Sequence, residues 1–440
     1  MNILKISLIS CLSAICPVCL YTQAIDSTRR CILTMLMLIL SIGLHAQTHN
    51  LEYYIDVALQ NSPLLKDYQN QIVINRLDSL IHKAGYKPQA DLSSTNVYAP
   101  NIKGWGYDTG IINNGTFNVL LTVRQTIIGK GNKKTQLQFY SIENQALQNT
   151  AKISEQDLKL AVASQYVASY HVLQETLYNK ELLDLLKKEE GVLKKLTEKA
   201  VYKQTDYLNF LISLKQQQLL IDQQTADYKN NIALLNYVCG IVDTAYVGLK
   251  NPNIALLLPP SFENTLQYER FRIDSLKLKN SDDQIDYAYH PKLEIFTDAG
   301  FNSTLTYQAY KNFGASVGLS LVMPLYDGGQ RQKQHNKIRA SEQIRQSYLD
   351  FSRNRYRQQL AQLYQQLQQT DDIIRQAREV VDYTQVLVEA HGKLLQTGNA
   401  SVTDYVLAVN NLLNARHTVV QSMNNRMQII NQINYWNYEK

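Results

Sequence analysis

The chain has 440 residues, of which 45% are hydrophobic and 19% charged, enough apolar material for a large structured protein. Its formal net charge of +6 is too mild over that length to argue for nucleic acid. Beyond the N-terminal region no uncharged apolar run reaches the length of a membrane-spanning helix, whereas a membrane β-barrel, with its weaker hydropathy signal, stays open.

In chain order, residues 1–46 read as a leader. Arg29-Arg30 is followed by "CILTMLMLILSIGLHAQ", a signal-type apolar run with Ala46 as a small cleavage residue. A similar run, "ILKISLISCLSAICPVCL", lies upstream, which leaves the true start open. A retained helical anchor is the alternative, and the twin-arginine and lipobox ("LISC") likenesses are loose. Four of the five cysteines (Cys11, Cys16, Cys19, Cys31) fall in this leader. A mature chain would keep only Cys239, hence no internal disulfide, and a net charge of +4.

The remainder reads as one unit present twice. "NVLLTVRQTIIGKGNKK" (118–134) aligns with "SVGLSLVMPLYDGGQRQ" (316–332) at an offset of 198, and the same offset carries Thr205-Asp206-Tyr207 onto Thr403-Asp404-Tyr405 and Asn236-Tyr237 onto Asn434-Tyr435. The first repeat is expected at 47–246, with a β-hairpin at about 89–128 and long helices over 131–240. The second is expected at 247–440, with a hairpin at about 291–326 and long helices over 330–438. Between Pro88 and Asn118 the first hairpin holds more residues than the second does between Pro291 and Ser316, so the insertion falls in its loop.

The strands alternate. Val317, Leu319, Leu321 and Met323 oppose Ser316, Gly318 and Ser320, while Val119, Leu121 and Val123 oppose Asn118, Thr122 and Arg124. One apolar and one polar face over roughly ten residues suits a membrane barrel strand, and also a soluble hairpin on a core. Asn132 to Lys199 and Gln330 to Gln396 contain no proline and one glycine each, which predicts helices roughly 100 Å long. Heptads follow each break, at Tyr207, Leu214, Ile221, Tyr228 and Leu235 and again at Tyr405, Leu412, Val419, Arg426 and Ile433, with Gln218 and Arg426 expected to interrupt the seam.

Two hairpins give four strands, too few to close a barrel, and an open sheet edge in lipid leaves backbone groups unpaired. The expected fold is therefore a mixed α/β membrane protein, mostly long α-helical coiled coil. Three copies would close their hairpins into a 12-stranded transmembrane β-barrel above a periplasmic α-barrel. Pro324, Asp327, Gly328 and Gly329, with Gly129 and Gly131 in the first repeat, are the expected barrel-to-helix junctions.

"ALQNSPLL" (58–65), "MPLYDGG" (323–329), the duplicated junctions and "GNASVTDYVLAVNNLLNAR" (398–416) together resemble the TolC-like outer-membrane efflux protein family over essentially all of 48–440. The resemblance implies a homotrimeric exit duct in the bacterial outer membrane with a large periplasmic portion. It would serve a tripartite efflux pump or a type I secretion system, partnered by a periplasmic adaptor and an inner-membrane transporter of RND or ABC type. It also implies that Asp206 and Asp404, with Thr205, Tyr207, Thr403, Tyr405 and Gly398, stand at the periplasmic entrance and face the adaptor. Threefold symmetry would repeat Asp404 as an acidic ring. Two departures weaken that ring: Leu407 stands where a second acid is usual, and the first turn, "KAVYKQTDY", has a lysine and no glycine. Helix-start charge is the plainer reading of both aspartates.

Neither an enzyme nor a cofactor is expected. "GASVG" (314–318) fits the nucleophile-elbow pattern, but its alternation runs straight through Ser316, and no histidine or cysteine spacing suits a metal. The rival reading is a periplasmic coiled-coil scaffold or adaptor with soluble hairpins. A passive porin would leave the long helices without a purpose.

Overall fold

The computed structural model describes residues 48–438 except 113, 244–246 and 306–307; the expected leader lies outside them. Two units are distinguished. In the small one, strands β1 (Thr48–His49) and β5 (Gly248–Leu249) pair in parallel, Thr48 opposite Gly248. The other unit holds the rest of the described chain.

That unit opens with two helices whose starts are set by local chemistry. Asn50 Oδ1 accepts from the Tyr53 amide at 3.1 Å to cap α1 (Leu51–Asn61). Ser62 then caps α2 (Pro63–Ala84), with Pro63 in its first turn, where a missing N–H leaves no bond unmade. Strands β2 (Gln89–Ser94), β3 (Val97–Tyr98) and β4 (Gly115–Ile127) follow, then α3 (Lys130–Glu198) and α4 (Gln204–Cys239). The order recurs as α5 (Leu266–Ala288), β6 (Lys292–Thr304), β7 (Phe313–Val322), α6 (Gln330–Gln396) and α7 (Val402–Asn434). Helices α3 and α6, of 69 and 67 residues, run for about 104 and 100 Å at 1.5 Å per residue. Among the described residues no helix is long and apolar enough to cross a membrane.

The four long helices bury narrow seams. Near the two interhelical turns, Leu186, Leu193, Phe210, Val388, Leu395, Tyr405 and Leu412 form one core shared by both helix pairs. Farther away, Leu363, Leu367, Ile430 and Ile433 form another. Buried amides fix the helix register. Asn280 donates to the Thr135 carbonyl at 2.9 Å, Asn149 to Leu266 at 3.1 Å and Asn75 to Tyr140 at 2.8 Å, so each offset of α3 against a neighbour has its own hydrogen bond. The expected interruption at Gln218 is corrected. Gln218 is half-buried and reaches Asp222, while its neighbour Gln217 is buried in the seam and bonds Asn179 at 2.9 Å. Arg426 stays at the margin, paired with Asp371 at 2.6 Å.

The strands form one antiparallel sheet in the order β2-β4-β6-β7, with β3 continuing the β2 edge along β4. The two hairpins are thus joined to each other through β4 and β6, whose register runs from Thr116 opposite Thr304 to Ile127 opposite Leu293.

Candidate functional site

Directly paired residues lie on the same face of a sheet, so the register sorts the side chains. One face carries the rows Ile127–Leu293–Leu321, Gln125–Ile295–Leu319, Ala90–Val123–Thr297–Val317, Leu92–Leu121–Ala299–Ala315 and Ser94–Val119–Phe301–Phe313. The opposite face carries Gln89–Arg124–Phe296–Gly318, Asp91–Thr122–Asp298–Ser316, Ser93–Leu120–Gly300–Gly314, Asn118–Asn302, Thr126–Glu294–Ser320 and Lys292–Val322, polar or small apart from Leu120, Phe296 and Val322. The apolar face is bare: Val317 is 80% exposed, Leu319 71% and Leu321 68%. Its five rows span about 27 Å along the strands, or about 21 Å across a bilayer at a tilt near 40°. Aromatic residues gather at the loop end, where Phe301 and Phe313 meet edge to face at 5.4 Å and Tyr98 lies on the same side. Among the described residues β2 and β7 have no outer neighbours, so both edges of the sheet are open.

The polar face explains the "GASVG" stretch. Ser316 sits mid-strand in β7 and donates to Asp298 Oδ2 at 2.8 Å, with no turn to expose it as a nucleophile. Among the described residues no group of three or more histidine, cysteine or acidic side chains is placed to hold a metal. Cys239 is a buried free thiol pushed up to about 12 by burial, which keeps it unreactive.

At the second junction Gly328 (φ +64°) and Gly329 (φ +77°) take consecutive left-handed conformations, which side chains disfavour. Asp327 caps the turn: its carboxylate accepts from the amides of Gly329 at 2.8 Å and Arg331 at 2.7 Å, and from the Tyr289 hydroxyl at the end of α5. The Arg331 amide, then the Tyr289 hydroxyl, hold this carboxyl below its ordinary range. The first junction is built differently. Gly129 has an ordinary φ of −58° and Gly131 lies inside α3, where a Cβ would come within 2.5 Å of the Tyr287 hydroxyl. Gly131 leaves room for that ring, a Cβ at Gly129 would meet none of the described residues within 4 Å, and neither makes a left-handed turn.

The far ends of the helix pairs hold the residues expected at the entrance. The α3–α4 turn closes with the Val201 amide donating to Leu196 O at 2.9 Å, and the α6–α7 turn with Asn399 donating to Leu394 O at 2.9 Å. Both turn on one left-handed residue, Ala200 (φ +59°) and Gly398 (φ +74°), which are 198 residues apart. Alanine therefore does at the first turn what glycine does at the second. Thr205, Thr403 and Asp404 are exposed and Asp206 is half-buried, both aspartates in the first turns of their helices, where a negative charge suits the helix dipole. Ser401 caps α7 through the Thr403 amide at 3.2 Å. Tyr207 donates to Glu190 at 2.6 Å. Tyr405 departs from the outward-facing set. It is 1% exposed and stacks on Phe210 at 6.2 Å, so it holds the two helix pairs together, and burial raises its hydroxyl.

Three contacts at this end are not legible from motifs. The Tyr202 hydroxyl lies 3.0 Å from Leu395 O and 2.9 Å from Ala400 O, joining the first turn to the second. Glu189 is buried and faces Gln396 at 3.4 Å. Phe210 is fully buried in the core against which Tyr202 packs. Only a difference between the repeats hints at them, since offset 198 sets Tyr202 against Ala400.

With this geometry in hand, the likenesses are informative. Residues 283–434 match the family described as outer membrane efflux protein. No curated protein matches the chain in sequence. The outer membrane protein VceC of Vibrio cholerae has a similar fold, with a TM-score of 0.69 at 13% identity over 88% of this chain and 95% of that one. The CmeC outer membrane channel of Campylobacter jejuni gives a TM-score of 0.69 at 13% identity, covering 88% and 84%. The MtrE outer membrane channel of Neisseria gonorrhoeae, in its open state, gives 0.69 at 13%, covering 88% of each chain.

Proposed function

From a chain that resembles outer membrane efflux proteins in sequence over its second half and in fold over most of its length, we propose an exit duct. In this reading the sheet lies in the outer membrane, the helices cross the periplasm, and cargo leaves by a passive path. The observation that carries it is the sheet itself, with one bare apolar face, one polar face and two open edges, mounted on helices of about 100 Å. Lipid accommodates the first face, water the second, and only closure removes the edges.

Closure requires further copies, and three supply twelve strands. Pairing β2 of one copy with β7 of the next brings α2, which leads into β2, beside α6, which leaves β7. Both helices carry bare apolar residues at helical spacing: Val73, Leu77 and Leu80 on α2, Ile344, Tyr348 and Phe351 on α6. A homotrimer would cover them. It would also gather three copies of Asp404 near the axis at the helical end, a ring without a second acid, since Leu407 is exposed one turn on.

The duct would receive cargo from an RND- or ABC-type inner-membrane transporter through a periplasmic adaptor that meets Thr205, Asp206, Thr403 and Asp404. Outer-membrane fractionation, native mass spectrometry of the detergent complex and planar-bilayer conductance test the reading. A conducting trimer from the outer membrane is expected. A soluble periplasmic monomer or dimer would sink it in favour of a coiled-coil scaffold.

A further inference from the structure

The sequence "KKEEGVLKKLTEKAVYK" (187–203) looks self-neutralising, because lysines and glutamates alternate at helical spacing. Folding separates them. Glu189 turns into the core toward Gln396, and Glu190 is taken by the Tyr207 hydroxyl. Lys187, Lys188, Lys194, Lys195, Lys199 and Lys203 all remain exposed, none with an ion pair among the described residues, and Glu198 is the one exposed acid between them. Asp184, one turn farther from the tip, ends the run. At the matching positions of the second repeat stand Gln385, Val386, Gly392, Lys393, Thr397 and Ser401, so only one lysine of the six recurs.

At 100° per residue, Lys187, Lys188, Lys194 and Lys195 occupy an arc of about 120°, and Gly191 lies at its centre. A helix-interior glycine costs about 1 kcal/mol against alanine, and nothing among the described residues explains this one, since a Cβ there would meet none of them within 4 Å. It leaves a notch in the middle of a basic face, where another backbone can come close.

We propose that this flank of α3 docks an acidic α-helical segment of a partner protein lying alongside it, seated over Gly191. The partner lies alongside because Lys187 is about 18 Å along the helix from Lys199, more than twice the Debye length of about 8 Å, so a flat anionic surface touching the tip would not feel it. The proposal rests on the exit-duct reading, in which this end faces the periplasm, and names the chemistry of the partner there.

The test uses the detergent-solubilised full chain and a synthetic helical-hairpin peptide with glutamates on one face, read by fluorescence anisotropy. Its glutamine counterpart and vesicles containing anionic lipid are the controls. Binding is expected to weaken with salt, to fall by roughly tenfold or more in the Lys187/Lys188/Lys194/Lys195→Glu variant, and to fall in Gly191→Leu, which keeps every charge. Equal binding by variant and wild type overturns the proposal, as does lysine-dependent vesicle binding that Gly191→Leu leaves unchanged. Conductance of the same preparations separates the two ideas. A conducting variant with unaltered peptide binding defeats this inference alone, whereas a wild-type chain that neither trimerises nor conducts defeats the duct.

Discussion

Replacing Gly398 by alanine probes how the two helical tips are held. Its φ of +74° is left-handed, which strains a residue with a Cβ by about 1–2 kcal/mol. The new Cβ would also stand 2.7 Å from Val201 Cγ1, on the other tip. Val201 is half-exposed and can rotate away, at the cost of an off-rotamer position, about 0.5–1.5 kcal/mol. The sum, about 1.5–3.5 kcal/mol, falls on the tips alone and should speed hydrogen exchange of residues 386–410 by about 10- to 400-fold. Val201→Ala should change little by itself but recover about 1 kcal/mol in the Gly398→Ala background, because it removes the collision and leaves the strain. Exchange within about twofold of wild type, or no coupling between the two sites, would refute both the left-handed turn and the contact between tips.

The mirror substitution, Ala200→Gly, should slow exchange at the first tip by about fivefold, a gain near 1 kcal/mol, since it relieves strain at φ +59°. Phe210→Ala should lower stability by about 3–5 kcal/mol in urea titration, because the ring is fully buried between the helix pairs. Val317→Arg, on the bare face, should cost about 2–4 kcal/mol for folding into vesicles and Ser316→Arg less, with equal costs contradicting the assignment of faces. Between α5 and α6, His335 lies 2.6 Å from Asp282 and 3.0 Å from Asp286, which also binds Arg331, itself stacked on Tyr289. The hydrogen bond to Asp282 is the main reason His335 is held above its ordinary value. Its contribution is therefore complete below about pH 6.5 and lost as pH rises through the raised value. Asp286 is held low, chiefly by Arg331, and contributes above about pH 4 until pH falls through its lowered value. Protease resistance of 282–289 should decline on the alkaline side, and His335→Gln should abolish that decline while leaving the acid side.

Much of this architecture is written in local pattern. Strand alternation at 316–323 and the proline-free runs after Gly129 and Gly329 are one-dimensional signals, and β7, α3 and α6 follow from them. What the pattern does not carry is which of two adjacent polar residues turns inward. Gln217 and Gln218 are chemically identical, and only the phase of α4 against α3 seats the first. Likewise "KKEE" reads as four surface charges until the Gln396 amide and a tyrosine claim the two acids. Tyr405 matches Tyr207 in sequence and differs in surroundings: Tyr207 finds Glu190 at the surface, whereas Tyr405 meets Phe210 in the core. An outward-facing role carries across a repeat only where the neighbours repeat as well.

Tyr202 and Ala400 occupy matching positions of the two halves at offset 198, and the hydroxyl of the first rests on the carbonyl of the second. One half supplies the ring and the other the carbonyls it rests on, so the two halves are not interchangeable at this contact. A difference at one matched site thus makes each tip depend on the other, and a single residue carries what two alike could not.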